Sequence, residues 1–157
     1  MSPIRIVSGG QTGVDRAALD VALELGWPVG GWCPAGRAAE DGPIPARYPL
    51  RETPSADPAQ RTAWNVRDSD PTLLLSSGDP SPGTGRAREE ARVLGRPVYT
   101  WHVTSPADTG SFRRWLQVHR VAALNVAGPR ESESPGVYDA ARTLLRTLFA
   151  GPLPFDS

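Results

Sequence analysis

Lysine is missing from this chain of 157 residues, and all 17 of its cationic side chains are arginine. That absence excludes a Schiff-base lysine, a lysine general base and a Walker-type phosphate loop, each of which needs an ammonium. Wherever a cation meets a ligand, the contact is a planar guanidinium suited to bidentate grip on phosphate or carboxylate. Cys33 is the only cysteine, and His102 and His119 are the only histidines. A disulfide framework, a Cys/His zinc cluster and a histidine-rich metal centre are therefore not expected. There is no charge excess either: the formal net charge is zero. A protein that coats nucleic acid or lies on an anionic membrane needs a basic surplus, so neither partner is expected. No apolar run approaches the ~18 residues that span a bilayer, and no signal-peptide core is visible. The expectation is a soluble, cytoplasmic protein.

What is abundant is punctuation, with 16 glycines and 17 prolines. They sit between short apolar runs, which reads as loop-rich globular structure. Ile4–Ser8 is a β-branched run stopped by Gly9 and Gly10, a strand meeting a turn. Gly13–Leu25 places Val14, Ala18, Val21 and Leu25 on one helical face. Val29–Cys33 reads as a second strand. Residues 35–58 carry Pro, Gly and charge without a period, and read as a long ordered lid or dimer loop. A short helix follows over Ala59–Arg67. Thr72–Ser76 is a leucine run typical of a strand buried on both faces. Gly83–Leu94 is a helix, Pro97–Val103 a fourth strand, Ser111–His119 a helix, Val121–Val126 a fifth strand and Gly136–Phe149 the last helix. One domain over 1–150 and a tail over 151–157 complete the reading. Five strands alternating with helices predict an α/β fold with a doubly wound parallel sheet. Such sheets bind ligands at the carboxyl ends of their strands.

Three loops at that edge have the composition of an anion site. The first holds Gly9, Gly10, Gln11, Thr12, Gly13, Asp15 and Arg16. Glycines admit a ligand close to the backbone, and the following helix offers free N–H groups. Arg16 in a first helical turn is electrostatically wrong for an empty helix and right for one that meets an anion. The second loop runs from Ser76 through Gly83, Thr84 and Gly85 to Arg86. The third holds Gly128, Arg130, Glu131 and Ser132, with Ser134 placed to cap the last helix and Pro135 at its first position. Lesser candidates are Trp32, Glu40 and Asp41 around the long loop, and Asn65 and Arg67 before the third strand. Cys33 reads as packing, and no metal ligands are assigned.

The runs Ser8–Asp20, Gly30–Arg37, Ala39–Pro45, Trp64–Asp70 and Asn125–Ser132 resemble the molybdenum carrier family. That family is a circularly permuted YpsA-like branch of the superfamily containing the Lonely Guy phosphoribohydrolases and the DNA-processing protein A family. The resemblance extends from about Ile4 to Leu148 and implies a Rossmann-like fold. Ser8–Asp15 resembles the second strand-loop of the DNA-processing proteins, whereas Leu124–Ser132 resembles their first. If the usual 3-2-1-4-5 arrangement is kept in space, the order here becomes 2-1-5-3-4, with the last strand central.

The resemblance also shows a departure. The phosphoribohydrolases follow their Gly-Thr loop closely with a catalytic Glu. Here Gly83-Thr84-Gly85 is followed by Arg86, Ala87 and Arg88, and the first acids are Glu89 and Glu90. A cytosolic carrier or binding protein for a phosphate-bearing, nucleotide-like or molybdenum-cofactor-like anion is therefore the leading expectation. No catalytic residue is assigned. The alternative is a nucleotide hydrolase of the phosphoribohydrolase type using Glu40, Asp41 or Glu131 as base. A homo-oligomer is expected from the resemblance and the long loop.

Overall fold

The structure, a computed structural model, describes residues 4–78 and 81–150. The expected tail at 151–157, and Asp79 and Pro80 of the second loop, lie outside the described residues. The elements are β1 (Arg5–Val7), α1 (Val14–Glu24), β2 (Val29–Gly30), β3 (Trp32–Cys33), β4 (Ala38–Ala39), β5 (Gly42–Pro43), β6 (Arg51–Glu52), α2 (Pro58–Arg67), β7 (Thr72–Ser76), α3 (Pro82–Leu94), β8 (Val98–His102), α4 (Thr109–Val118), β9 (Ala123–Ala127) and α5 (Val137–Phe149). Five strands form the main sheet in the order β2-β1-β9-β7-β8, and every neighbouring pair is parallel. The last strand in the chain is thus central. The loops leaving β1, β9 and β7 emerge side by side at one edge.

Leucine spacing explains the layers. In β7, Leu73, Leu74 and Leu75 are all 0% exposed. Leu73 and Leu75 pack with α1, α4 and α5, while Leu74 faces Val66, Ala87 and Ala91 of α2 and α3. A strand buried on both faces needs no polar alternation, and each such leucine contributes about 1.5–3 kcal/mol of apolar burial. In α5, Val137, Ala141, Leu144 and Leu148 recur at helical spacing and are buried. Ala17, Ala18 and Ala22 let α1 settle deeply into the same core.

Several expected boundaries shift for identifiable reasons. The helix α4 starts at Thr109 because the Asp108 carboxylate accepts from the Ser111 N–H at 3.0 Å. The fifth strand starts at Ala123, since one carboxylate oxygen of Asp70 accepts from the N–H groups of Ala122 and Ala123 at 2.8 and 2.9 Å. The expected strand Val29–Cys33 is two strands. Only β2 joins the main sheet, while β3 pairs with β6. The chain turns at Gly31, where the Asn65 side chain clips the next residue: Oδ1 accepts from Trp32 N–H at 2.7 Å and Nδ2 donates to Trp32 C=O at 2.9 Å.

The aperiodic segment 35–58 has structure of its own. The strands β4 and β5 form a small antiparallel hairpin. Ile44, Tyr48 and Leu50 bury themselves with Cys33 and Leu19. The Arg37 guanidinium organises the rest, donating to the carbonyls of Ile44, Leu50, Pro45 and Tyr48 at 3.0, 3.1, 2.9 and 2.9 Å.

Candidate functional site

A cleft of about 240 Å³ opens at the carboxyl ends of β1, β9 and β7. The first loop gives it Gly9, Gln11 and Asp15, the second Ser81, Gly83 and Thr84, and the third Gly128 and Arg130. Asn65 stands in its wall, as do Asn125, Arg61 and Arg86. Two glycines let these loops meet. Gly13 has φ +80°, and a Cβ there would lie 2.3 Å from the Pro129 carbonyl oxygen. At Gly128 a Cβ would stand 2.6 Å from both the Leu75 carbonyl oxygen and Val14 Cγ2. Neither position admits a side chain without separating the strands around the cleft.

Three helices start at the cleft, α1, α2 and α3, and their first turns are held differently. Asp57 and Asp108 cap α2 and α4 through side-chain hydrogen bonds, whereas α1 and α3 have no side-chain cap. At α1 the Val14 N–H is taken by the Pro129 carbonyl at 3.2 Å; the positive dipole ends of α1 and α3 still favour an anion. Beside them, Arg61 donates to the Gly9 carbonyl at 3.0 Å and stands 4.0 Å from the Asp15 carboxylate.

Two carboxylates line the cleft: Glu133, paired with the Arg130 guanidinium at 3.3 Å, and Asp15. Asp15 is 8% exposed, and Oδ2 accepts from the Gln11 N–H at 3.3 Å. Among the described residues Oδ1 has no hydrogen-bond partner. Burial raises the Asp15 pKa from 3.8 to about 6, against the opposing pull of Arg61, the Gln11 N–H and Arg16. A carboxyl group that changes charge near neutrality inside a cleft is a functional signal as well as an electrostatic cost.

The other expected residues fall outside the cleft, and most have partners within the chain. Arg16 does not present its guanidinium to the cleft: it pairs bidentately with Asp41 at 2.9 and 3.1 Å and donates from Nε to the Gly10 carbonyl. Thr12 donates to Glu40, and Glu40 also accepts from the Ser132 N–H at 3.1 Å and the Ser132 hydroxyl at 2.6 Å. Glu131, expected as a ligand contact or base, caps α5, accepting from the N–H groups of Gly136 and Tyr138 at 2.7 and 2.9 Å. Ser134 therefore does not cap that helix, whose first residue is Val137 rather than Pro135. Gly10 and Gly13 shape the first loop without lining the space, and Gly85 lies within α3, where a Cβ would meet nothing. Trp32 packs edge-on against Trp64 and donates its indole N–H to Asp68 at 2.8 Å. Arg67 pairs with the same Asp68 at 2.7 Å and covers Trp64.

Arg61 was not legible as a residue of the cleft, whereas Ser81 and Glu133 lay within the second and third loops without being singled out. Arg61 lies in a helix 52 residues from the glycine it touches. The nearest available signal was Asn125, a polar residue inside an otherwise apolar strand. It is buried, and its Nδ2 donates to Thr72 Oγ1 at 3.2 Å.

Fold and site together define a Rossmann-like α/β protein with a polar, arginine-bearing cleft at the switch between its central strands. The chain belongs to the circularly permutated YpsA SLOG family, whose model matches residues 6–149. It is similar to a crystal structure at 1.45 Å described as "Putative molybdenum carrier protein" from Syntrophus aciditrophicus SB. The two share 38% identity with a TM-score of 0.88, over 95% of this chain and 96% of that one. No curated protein matches the chain. Among the described residues no helix is long and apolar enough to cross a membrane.

Proposed function

We propose that the protein is a binding or carrier protein for a small molecule bearing a tetrahedral oxyanion, held in the cleft between the loops of β1, β9 and β7. One observation carries this reading: Gly-bearing segments after β1, β7 and β9, the starts of α1 and α3, and the side chains of Arg61, Arg86 and Arg130 border one space. Such donors suit a phosphate group, as on a nucleotide, or molybdate. The name of the similar crystal structure favours molybdenum as cargo. Among the described residues no group of three or more His, Cys, Asp or Glu is placed to hold a metal ion. Molybdenum would accordingly be held through its oxygens, or inside a phosphate-bearing cofactor.

A second reading, hydrolysis of a nucleotide, has Asp15 in its favour. Its carboxyl group lies in the cleft and titrates near neutrality, as a general acid or base would. Against it, α3 places Arg86 in the cleft wall, while Glu89 is engaged with Arg92 on the surface. Neither Glu40 nor Glu131 is free to act as base.

Calorimetric titration with adenosine monophosphate and with molybdate tests the first reading. Arg61→Ala is expected to weaken binding by about 1.5–3 kcal/mol, the worth of a charge-assisted hydrogen bond. A folded variant with unchanged affinity removes Arg61 from the site. No adenine should be released from adenosine monophosphate above the uncatalysed rate; release abolished by Asp15→Asn would promote the hydrolase.

A further inference from the structure

Glu40 sits at the tip of the β4–β5 hairpin and takes donors from two other loops. Thr12 Oγ1 donates to its Oε1, as does the Ser132 N–H at 3.1 Å. The Ser132 hydroxyl donates to Oε2 at 2.6 Å, and the Arg130 guanidinium lies 3.6 Å from the same oxygen. Partial burial alone would raise the Glu40 pKa, but the bonds from Ser132 and Thr12 and the charge of Arg130 hold it below the usual carboxylate value. Two hydroxyls, a backbone N–H and a guanidinium converging on one point are the donors of an oxyanion site.

This cluster adjoins the cleft. Arg130 and Gln11 line the cleft, and Gln11 Oε1 accepts from the Glu40 N–H at 2.9 Å. The element that carries Glu40 is slight. The hairpin pairs only Ala38 with Pro43 and Ala39 with Gly42; Asp41 on Arg16 tethers it to α1, and Ala39 packs against the cluster of Leu19, Cys33, Ile44, Tyr48 and Leu50.

Building on the proposed anion-binding role, we infer that Thr12, Ser132 and Arg130 form a second oxyanion subsite at the cleft mouth, which the chain's own Glu40 carboxylate fills. A ligand with a tetrahedral oxyanion competes with Glu40 for these donors and displaces the 38–43 hairpin. Such a group offers a third oxygen and a greater negative charge than a carboxylate. Without Glu40 the competition disappears, so the subsite should bind more tightly.

The test is calorimetric titration of the unsubstituted protein, Glu40→Ala, Glu40→Gln and the double variant Glu40→Ala/Ser132→Ala. Molybdate and orthophosphate represent a free oxyanion, and adenosine monophosphate a phosphoryl group on a larger molecule. Glu40→Ala is expected to bind at least one of these about tenfold more tightly, a gain of roughly 1.4 kcal/mol, and the double variant is expected to lose that gain. A gain confined to the inorganic ions identifies a free oxyanion; a gain confined to the nucleotide identifies the phosphoryl group. If Glu40→Ala fails to fold, Glu40→Gln, which keeps the shape and sheds the charge, must show the increase. Equal or weaker binding by a folded Glu40 variant overturns the inference, as does absence of binding at millimolar concentration. The cleft reading fails separately. It stands if the unsubstituted protein binds adenosine monophosphate and Arg61→Ala binds it more weakly, whatever the Glu40 variants do.

Discussion

Asp15 ties stability to pH through one side chain. Its pKa is raised from 3.8 to about 6 by burial, so between those values the native state holds a proton that the unfolded chain has released. Stability therefore falls as pH rises through this window, and the full penalty stands above about 6. A shift of that size corresponds to about 3 kcal/mol. Asp15→Asn keeps an acceptor for the Gln11 N–H and cannot ionise. Urea unfolding should find it more stable than the parent by about 1–3 kcal/mol at pH 7.5 and close to the parent near pH 4. A difference independent of pH would contradict the assignment. The presence of Asp15 in the first loop was readable in the chain, but its chemistry was not. An acid in a first helical turn is ordinary helix stabilisation, and only the tertiary burial beside Arg61 makes it a titrating group. Arg16 shows the complementary limit. Its pairing with Asp41 depends on a hairpin 25 residues away.

At the scale of elements, periodicity was informative and long-range clips were not. The leucine run marked β7 at Thr72–Ser76, and the spacing of Val137, Ala141, Leu144 and Leu148 marked α5. The segment over 35–58 has no period because it is built around one guanidinium and four carbonyls rather than around a repeating face. Arg37 also has a positive φ of 55°, a further cost that its hydrogen bonds must offset. Arg37→Lys should fail to replace it, since an ammonium is a compact point donor that cannot span the four carbonyls. We expect the substitution to cost about 2–4 kcal/mol, each hydrogen bond to a charged group being worth about 1.5–3 with partial rescue by water. Hydrogen exchange should quicken over 31–55 while β7 and β9 stay protected. Uniform loss of protection across the sheet would show that the segment and the sheet unfold as one unit. The capping of α5 shows the same limit at shorter range. Ser134-Pro135 has the local form of a cap, yet Glu131 reaches past it to the Gly136 and Tyr138 N–H groups.

At the scale of the molecule, the chain order and the spatial order differ, and the site depends on the difference. Local patterns supplied five strands and a parallel sheet. The central place of the last strand came from the motif order, in which Leu124–Ser132 stands last although it resembles a first strand-loop. With β9 between β1 and β7, the loops holding Gly9, Gly83 and Arg130 border one cleft; with β9 at an edge they would be dispersed. The central claim is that this cleft, rather than any other surface, takes an oxyanion. Amide chemical-shift mapping of the ¹⁵N-labelled protein during titration with adenosine monophosphate tests it most directly. The account predicts saturable shifts centred on Gly9, Gly83, Thr84, Gly128 and Arg130. No shifts at millimolar ligand, or shifts centred on residues away from these loops, would contradict it.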